Sequence, residues 1–327
     1  MICYKEYHTI QGYECLSACI TNYFNYLGLL VSGSDIFFVG GGFVITYEKK
    51  KKSSIGAKLY ESNFMFLKNM SIPFQHTNLE ESKDVMKFLR KSIEDEHFIA
   101  IKVSSECLEH NRVFKQTESS PHYLNILGYD DSTNNVFISD GYVPTFNPTV
   151  FEGWVDTNGI IEAWRRMDYE YVKLDLADIK ISADEMHRIA IMNMKFGIQQ
   201  YLNKSKQRLS SKFFGKEAIT KLFEDILLMF DMQIDLKTVA LDINYQLKIY
   251  GFITSKRFIL QKLIILKMNE CYLEQYSKII DKWNQICNLL VKAGISRNKK
   301  SFELTLEKVN ESINEEEKVL YEILNDL

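Results

Sequence analysis

The stretch His8–Gly28, HTIQGYECLSACITNYFNYLG, carries the decision about the fold. Gly12 marks a turn, and from Cys15 onward Ala18, Cys19, Tyr23 and Leu27 recur at helical spacing until Gly28 supplies a stop. The pattern predicts a helix with Cys15 in its first turn. Unpaired backbone N–H groups and the positive end of the helix dipole favour a thiolate there, which points to a nucleophilic cysteine.

A nucleophilic thiol needs a base and a group that orients the base. Further along, Pro121-His122-Tyr123-Leu124-Asn125-Ile126-Leu127-Gly128-Tyr129 reads as a strand opened by His122, and Val136-Phe137-Ile138-Ser139-Asp140 as a strand closed by Asp140. A hairpin across the turn at Asp130–Asn135 brings His122 and Asp140 to the same end of neighbouring strands. Taken singly, a helical cysteine is core filler, a strand histidine is half-buried and satisfied, and an aspartate at a strand end belongs to a turn. In this order they describe a Cys15–His122–Asp140 set. The backbone N–H of Cys15 and the side-chain amide of Gln11 are candidate oxyanion donors. Tyr13, Phe43 and Tyr47 are candidates to line a substrate slot, and Gly40–Gly42 suits close backbone approach to a substrate arm, with Gly42 nearest the aromatics. The remaining five histidines read as incidental. Cys107, His110 and His97 find no fourth ligand at a usual spacing, so no metal is expected.

Outward from this segment, 327 residues suggest roughly two domains. A hydrophobic share of 46%, a charged share of 25% and a formal charge of -3 describe an ordinary globular chain with no net field to attract nucleic acid. All four prolines lie at or before Pro148 and eleven of the fifteen glycines at or before Gly159, so the chain is expected to divide into residues 1–178 and 179–327. The first part shows short β-rich runs at His97–Val103, His122–Tyr129, Val136–Asp140 and Tyr171–Leu174. Helical patterns between and before them span Cys15–Leu27, Ser62–Asn69, Glu80–Ile93 and Asn158–Arg166, giving an α+β class. The second part reads as helix throughout. Ser255–Ala293 fits one or two long helices stopped by Gly294, and Phe302, Leu306, Val309, Ile313, Leu320 and Leu327 form a stripe broken only by Glu316. That stripe packs on neighbouring helices, with a homodimer seam as the alternative.

The N-terminus turns polar within five residues, and Phe258–Leu266, the most apolar stretch, is too short to span a bilayer. A cytoplasmic protein with no membrane partner is expected. In a reducing compartment six cysteines without a CxxC pair are core or chemistry rather than disulfides.

The run Gly12-Tyr13-Glu14-Cys15-Leu16-Ser17-Ala18, then Gly28, Gly40-Gly41-Gly42-Phe43-Val44-Ile45-Thr46-Tyr47, and His122 with Gly128-Tyr129-Asp130 and Asp140-Gly141, resembles the butirosin biosynthesis protein H family. The resemblance implies a papain-like cysteine-peptidase domain, similar to bacteriocin leader peptidases, followed by an all-helical domain that covers or flanks the cleft. It implies Cys15 as nucleophile, His122 as base and Asp140 as its orienter. It further implies an acyltransferase that takes an acyl group from the phosphopantetheine thioester of an acyl or peptidyl carrier protein and passes it to a small amine in specialised-metabolite (antibiotic, nonribosomal) biosynthesis. No cofactor of the protein's own is implied. A peptidase, amidase or thioesterase with the same three residues is the alternative, and a non-catalytic binding module a third. Lys49–Lys52 reads as a solvated turn, with a dock for an acidic carrier domain as the other use.

Overall fold

A computed structural model describes every residue except 1, 5, 50–53, 81–83, 111, 116–119, 145–148, 176–180, 204–211, 233 and 250. The chain is mixed helix and sheet. In chain order the first elements are β1 (Ile2–Cys3), α1 (Cys15–Tyr26), α2 (Gly33–Val39), β2 (Thr46–Glu48), β3 (Ser54–Gly56), α3 (Leu59–Asn69), β4 (Phe74–Asn78) and α4 (Val85–Glu94). There follow β5 (Phe98–Ser104), a 3-10 turn at Ser105–Cys107, α5 (Arg112–Lys115), β6 (Pro121–Asp130), β7 (Asn135–Val143), β8 (Thr149–Asp156), α6 (Thr157–Arg165) and β9 (Glu170–Leu174). The remainder holds α7 (Ala183–Leu202), β10 (Lys212–Phe214), α8 (Gly215–Met229), α9 (Leu236–Ile249), α10 (Phe252–Ile265), α11 (Glu270–Ser296) and α12 (Lys299–Asp326).

Contacts divide the chain into two units, Met1–Ile36 with Asn63–Met186, and Phe37–Ser62 with His187–Leu327. The boundary expected at 178/179 lies outside the described residues, and the segment Phe37–Ser62, read as part of the first domain, groups with the helical remainder instead.

The first unit is built on an antiparallel sheet ordered β4-β9-β5-β6-β7-β8, with β1 added to β6. The four strands read from sequence are all present. β4 and β8 escaped that reading because Gln75, His76 and Thr77, and Glu152 and Asp156, interrupt the apolar alternation expected of a strand. The central strands β5, β6 and β7 are buried along nearly their whole length. On one side Leu124, Ile126, Ile138 and Trp164 belong to an apolar core that includes Leu89 and Ile93 of α4. α1 packs against β6 and β7, which is what places its first residue beside the sheet.

The second unit is helical apart from a small antiparallel sheet, β10-β2-β3. The strand β10 corrects the all-helical expectation for residues after 179. Its partner β2 comes from the inserted segment, with Phe213 opposite Tyr47. Ser255–Ala293 resolves into α10 and α11, separated at Leu266–Asn269, where Lys267 adopts φ 53°. Gly294 does not stop α11. The helix runs to Ser296 with Arg297 in the left-handed cap, and Gly294 instead allows close approach of α9, since a Cβ there would lie 2.4 Å from Ala240 Cβ. Glu316, the break in the C-terminal stripe, is fully buried. Its Oε1 lies 2.5 Å from Lys256 Nζ and accepts from the Tyr276 hydroxyl, while Oε2 accepts from the Tyr201 hydroxyl and Trp283 Nε1.

Candidate active site

The segment leading into α1 is fastened to the sheet. Asn22 on α1 takes the Ile10 backbone N–H at 2.6 Å and donates to the Ile10 carbonyl at 2.9 Å. Thr9 bonds Glu152 through both its N–H and its hydroxyl. The Gly12 N–H donates to the Gly141 carbonyl at 2.8 Å, one residue past Asp140. Gly141 allows this approach because a Cβ there would lie 2.6 Å from Asn22 Nδ2 and 2.9 Å from Ala18 Cβ. The start of α1 and the strand β7 are thereby held in contact. Gln11 sits between the two pinned residues with its side chain exposed, and Tyr13 is half-buried.

Cys15 is the first residue of α1 and Glu14 is its N-cap. The Glu14 carboxylate accepts from the backbone N–H groups of Leu16 at 3.0 Å and Ser17 at 2.6 Å, and from Asn63 Nδ2 at 3.1 Å. The free N–H groups of the helix start therefore serve Glu14 rather than the sulfur. The Cys15 thiol donates to Glu14 Oε1 at 3.4 Å. Burial pushes the Cys15 thiol well up, the Glu14 charge adds to this, and a hydrogen bond from the Tyr123 backbone opposes it. A thiolate favoured by the dipole alone is thus corrected: the resting group is a thiol, because desolvation and an adjacent carboxylate outweigh the helix end. Cys19, one turn along, is fully buried with its thiol also pushed up by burial.

The Tyr123 amide beside the sulfur belongs to the residue that follows His122 on β6, so the same strand end supplies both. Pro121 opens that strand at a position where no amide donor is required. His122 is buried, and its Nε2 lies 3.0 Å from Asp140 Oδ1. β6 and β7 form a hairpin that pairs Asp130 with Asn135, which brings His122 and Asp140 to one end. Asp140 is completely buried, and its Oδ1 also accepts the Tyr142 N–H at 3.1 Å. Its other oxygen, Oδ2, lies 2.9 Å from Nε2 of His110, a residue set aside in the sequence as incidental. Burial alone would raise the Asp140 carboxyl. The His122 charge and hydrogen bonds from His110 and His122 reverse that and hold it well below the usual carboxylate range. With Asp140 anionic, His122 Nε2 is the donor to it and Nδ1 is left to exchange protons.

The other sequence candidates lie in the second unit, in its core. Phe43 is buried with its ring 5.8 Å from that of Tyr201. Tyr47 is fully buried and its hydroxyl donates to Asp225 at 3.0 Å. Gly42 is buried against Phe37, whose ring atoms would lie 2.4 Å from an added Cβ. Close packing and a satisfied hydroxyl account for these three residues without a ligand. Lys49 Nζ lies 3.2 Å from Asp225, and Lys50–Lys52 lie outside the described residues. Among the described residues no group of three or more His, Cys, Asp or Glu is placed to hold a metal, and no helix is long and apolar enough to cross a membrane.

Residues 14–141 match the sequence model of the family described as butirosin biosynthesis protein H, N-terminal. The matched span begins one residue before Cys15 and ends one residue after Asp140. No curated protein matches the chain. Among solved structures, a C39-like peptidase from Bacillus anthracis aligns at 13% identity with a TM-score of 0.36, covering 53% of this chain and 96% of that one. Over residues 14–141, well under half of its length, the chain is thus similar to the N-terminal region of the butirosin biosynthesis protein H family.

Proposed function

We propose that the protein is a cysteine-dependent acyltransferase that takes an acyl group from a carrier-protein thioester and passes it to an amine. The observation that carries this reading is the Asp140-bound His122 on the strand whose next amide reaches Cys15. His122 Nδ1 removes the thiol proton as Cys15 Sγ attacks the thioester carbonyl, and the carrier thiol leaves with that proton. The incoming amine attacks the acyl-Cys15 carbonyl, gives its proton to His122, and the amide departs as the Cys15 sulfur is released. Because the resting group is a thiol, His122 serves as a base in the first step rather than as the partner of a standing thiolate. The Cys15 N–H and Gln11 are the proposed donors to the oxyanion. The carrier arm and the amine are part of the proposal, taken from the sequence resemblance; the matched family's description supports only a role in biosynthesis.

The test is intact-mass measurement of the protein after incubation with acylated carrier protein, followed by addition of amines. The expected result is an acyl adduct on Cys15 that amines discharge as amide, absent in Cys15→Ala. Adduct discharge only to free acid would make the protein a hydrolase. No adduct with any thioester, together with a Cys15 no more reactive than Cys271, would make it a binding module.

A further inference from the structure

His110 lies in the connection between the turn Ser105–Cys107 and α5, a stretch without strand or helix periodicity. Its side chain is only 1% exposed. The imidazole is enclosed by the rings of Phe151 at 4.6 Å and Phe114 at 5.4 Å, and Phe114 also packs on His122 at 5.0 Å. A polar ring placed among aromatics costs desolvation, and its Nε2 goes to the Asp140 oxygen that His122 leaves open. Asp140 therefore has both oxygens occupied, Oδ1 by His122 and the Tyr142 N–H, Oδ2 by His110.

We propose that His110 is a positioning residue that acts on His122 through Asp140, fixing the carboxylate plane so that Oδ1 stays on His122 Nε2. The proposal rests on the reading of Cys15, His122 and Asp140 as the reactive set. Without His110 the Oδ2 atom becomes a buried acceptor with no donor, and the carboxylate relieves this by rotating about its Cβ–Cγ bond. Such rotation gives up the 3.0 Å contact to His122 and loosens the ring that must meet the thiol. Outer hydrogen-bond partners of this kind decide ligand orientation in other sites.

Two readouts test this without a known substrate. The first is the ring N–H spectrum of histidine-labelled protein, in which His110 and His122 are each expected to give a slowly exchanging, strongly deshielded Nε2 proton. The second is the rate of Cys15 alkylation by iodoacetamide. In His110→Phe, which keeps an aromatic ring and removes the donor, the His122 signal is expected to exchange with solvent. Cys15 alkylation should slow on the order of tenfold, the scale of losing an outer hydrogen-bond partner. His110→Gln, whose amide restores a donor at similar reach, should recover both. Persistence of the His122 signal and of the rate in His110→Phe would overturn the positioning role while leaving the Cys15–His122 reading in place. Equal loss in a folded His110→Gln would overturn it too, because the donor would not be what matters. Should His110→Phe fail to fold, the wild-type spectrum decides: a His110 ring proton that exchanges freely overturns the proposal. Cys15 alkylation that is the same in His122→Ala as in wild type would instead overturn the reading beneath it.

Discussion

Two buried carboxylates, Asp140 in the first unit and Glu316 in the second, are both completely enclosed and both fully hydrogen-bonded, yet they are surrounded by opposite kinds of partner. Asp140 is bound by two imidazoles, and one of them, His122, is followed on its strand by the residue whose backbone hydrogen-bonds Cys15. Glu316 is bound by Lys256, two tyrosine hydroxyls and an indole. The ammonium of Lys256 also lies 4.1 Å from the Phe252 ring and 5.5 Å from that of Trp283. Burial lowers the Lys256 ammonium, with Glu316 pulling it back, and raises the Tyr201 and Tyr276 hydroxyls well up. Burial of a charge therefore does not by itself mark a reactive site. What separates the two is the chemistry of the partners, two imidazoles on a strand that also meets Cys15 against an ammonium, two hydroxyls and an indole.

The largest effect that sharpens this contrast is expected from Asp140→Asn. The amide cannot accept from both imidazoles as the carboxylate does, so His122 loses its orienter, and Cys15 acylation should fall by several orders of magnitude, as for the orienting aspartate of other triads. Single-turnover mass spectrometry measures it, and an acylation rate within a factor of ten of wild type would put Asp140 on the same footing as Glu316. Next in size, Lys256→Met leaves Glu316 buried without a counter-charge and should cost about 3 kcal/mol of unfolding free energy in urea. The same variant should leave Cys15 alkylation of the folded protein unchanged. A double change to Lys256→Met with Glu316→Leu should restore most of the loss, because the pair is then replaced by packing.

A smaller effect separates the two carboxylates by pH. Asp140 has a folded-state value below its ordinary 3.8, so its stabilisation is complete above 3.8 and is lost as pH falls through the folded value. Asp140→Asn should therefore flatten the acid limb of the stability profile measured by thermal unfolding, and an unchanged limb would place the acid-sensitive charge elsewhere. The smallest effect concerns the thiol. Glu14→Gln keeps one acceptor for the helix-start amides and removes the charge beside Cys15, which should speed Cys15 alkylation at neutral pH several-fold. A slower reaction would mean that the Glu14 charge assists the sulfur rather than suppressing it.

Much of the first unit was legible from local pattern. Cys15 at a helix start and the His122–Asp140 hairpin depend on short-range spacing, which sequence reports directly. His110 was not legible. It reaches Asp140 from a connection with no periodicity, across thirty residues, and no neighbouring residue type announces it. Glu14 was visible as a residue, but its capture of the helix N–H groups, and so the protonated thiol, depends on burial that a spacing rule does not measure. The insertion of Phe37–Ser62 was missed for a different reason. β2 pairs with β10, far away in sequence, and three-residue strands carry too little alternation to be read alone. The glycine and aromatic residues at 40–47 looked like ligand-binding residues because a tight core contact and a substrate contact use the same small and flat side chains.

That insertion also sets a clock on the birth of the protein. Tyr47 finds its partner strand only when Phe213 has been made, and Phe37 stacks on Phe258, 4.9 Å between ring centres, later still. At roughly 5–20 residues per second the ribosome leaves these aromatic side chains without those partners for about 10–40 s. Through that interval the nascent chain carries these side chains without the strand and the ring they pack on in the finished fold.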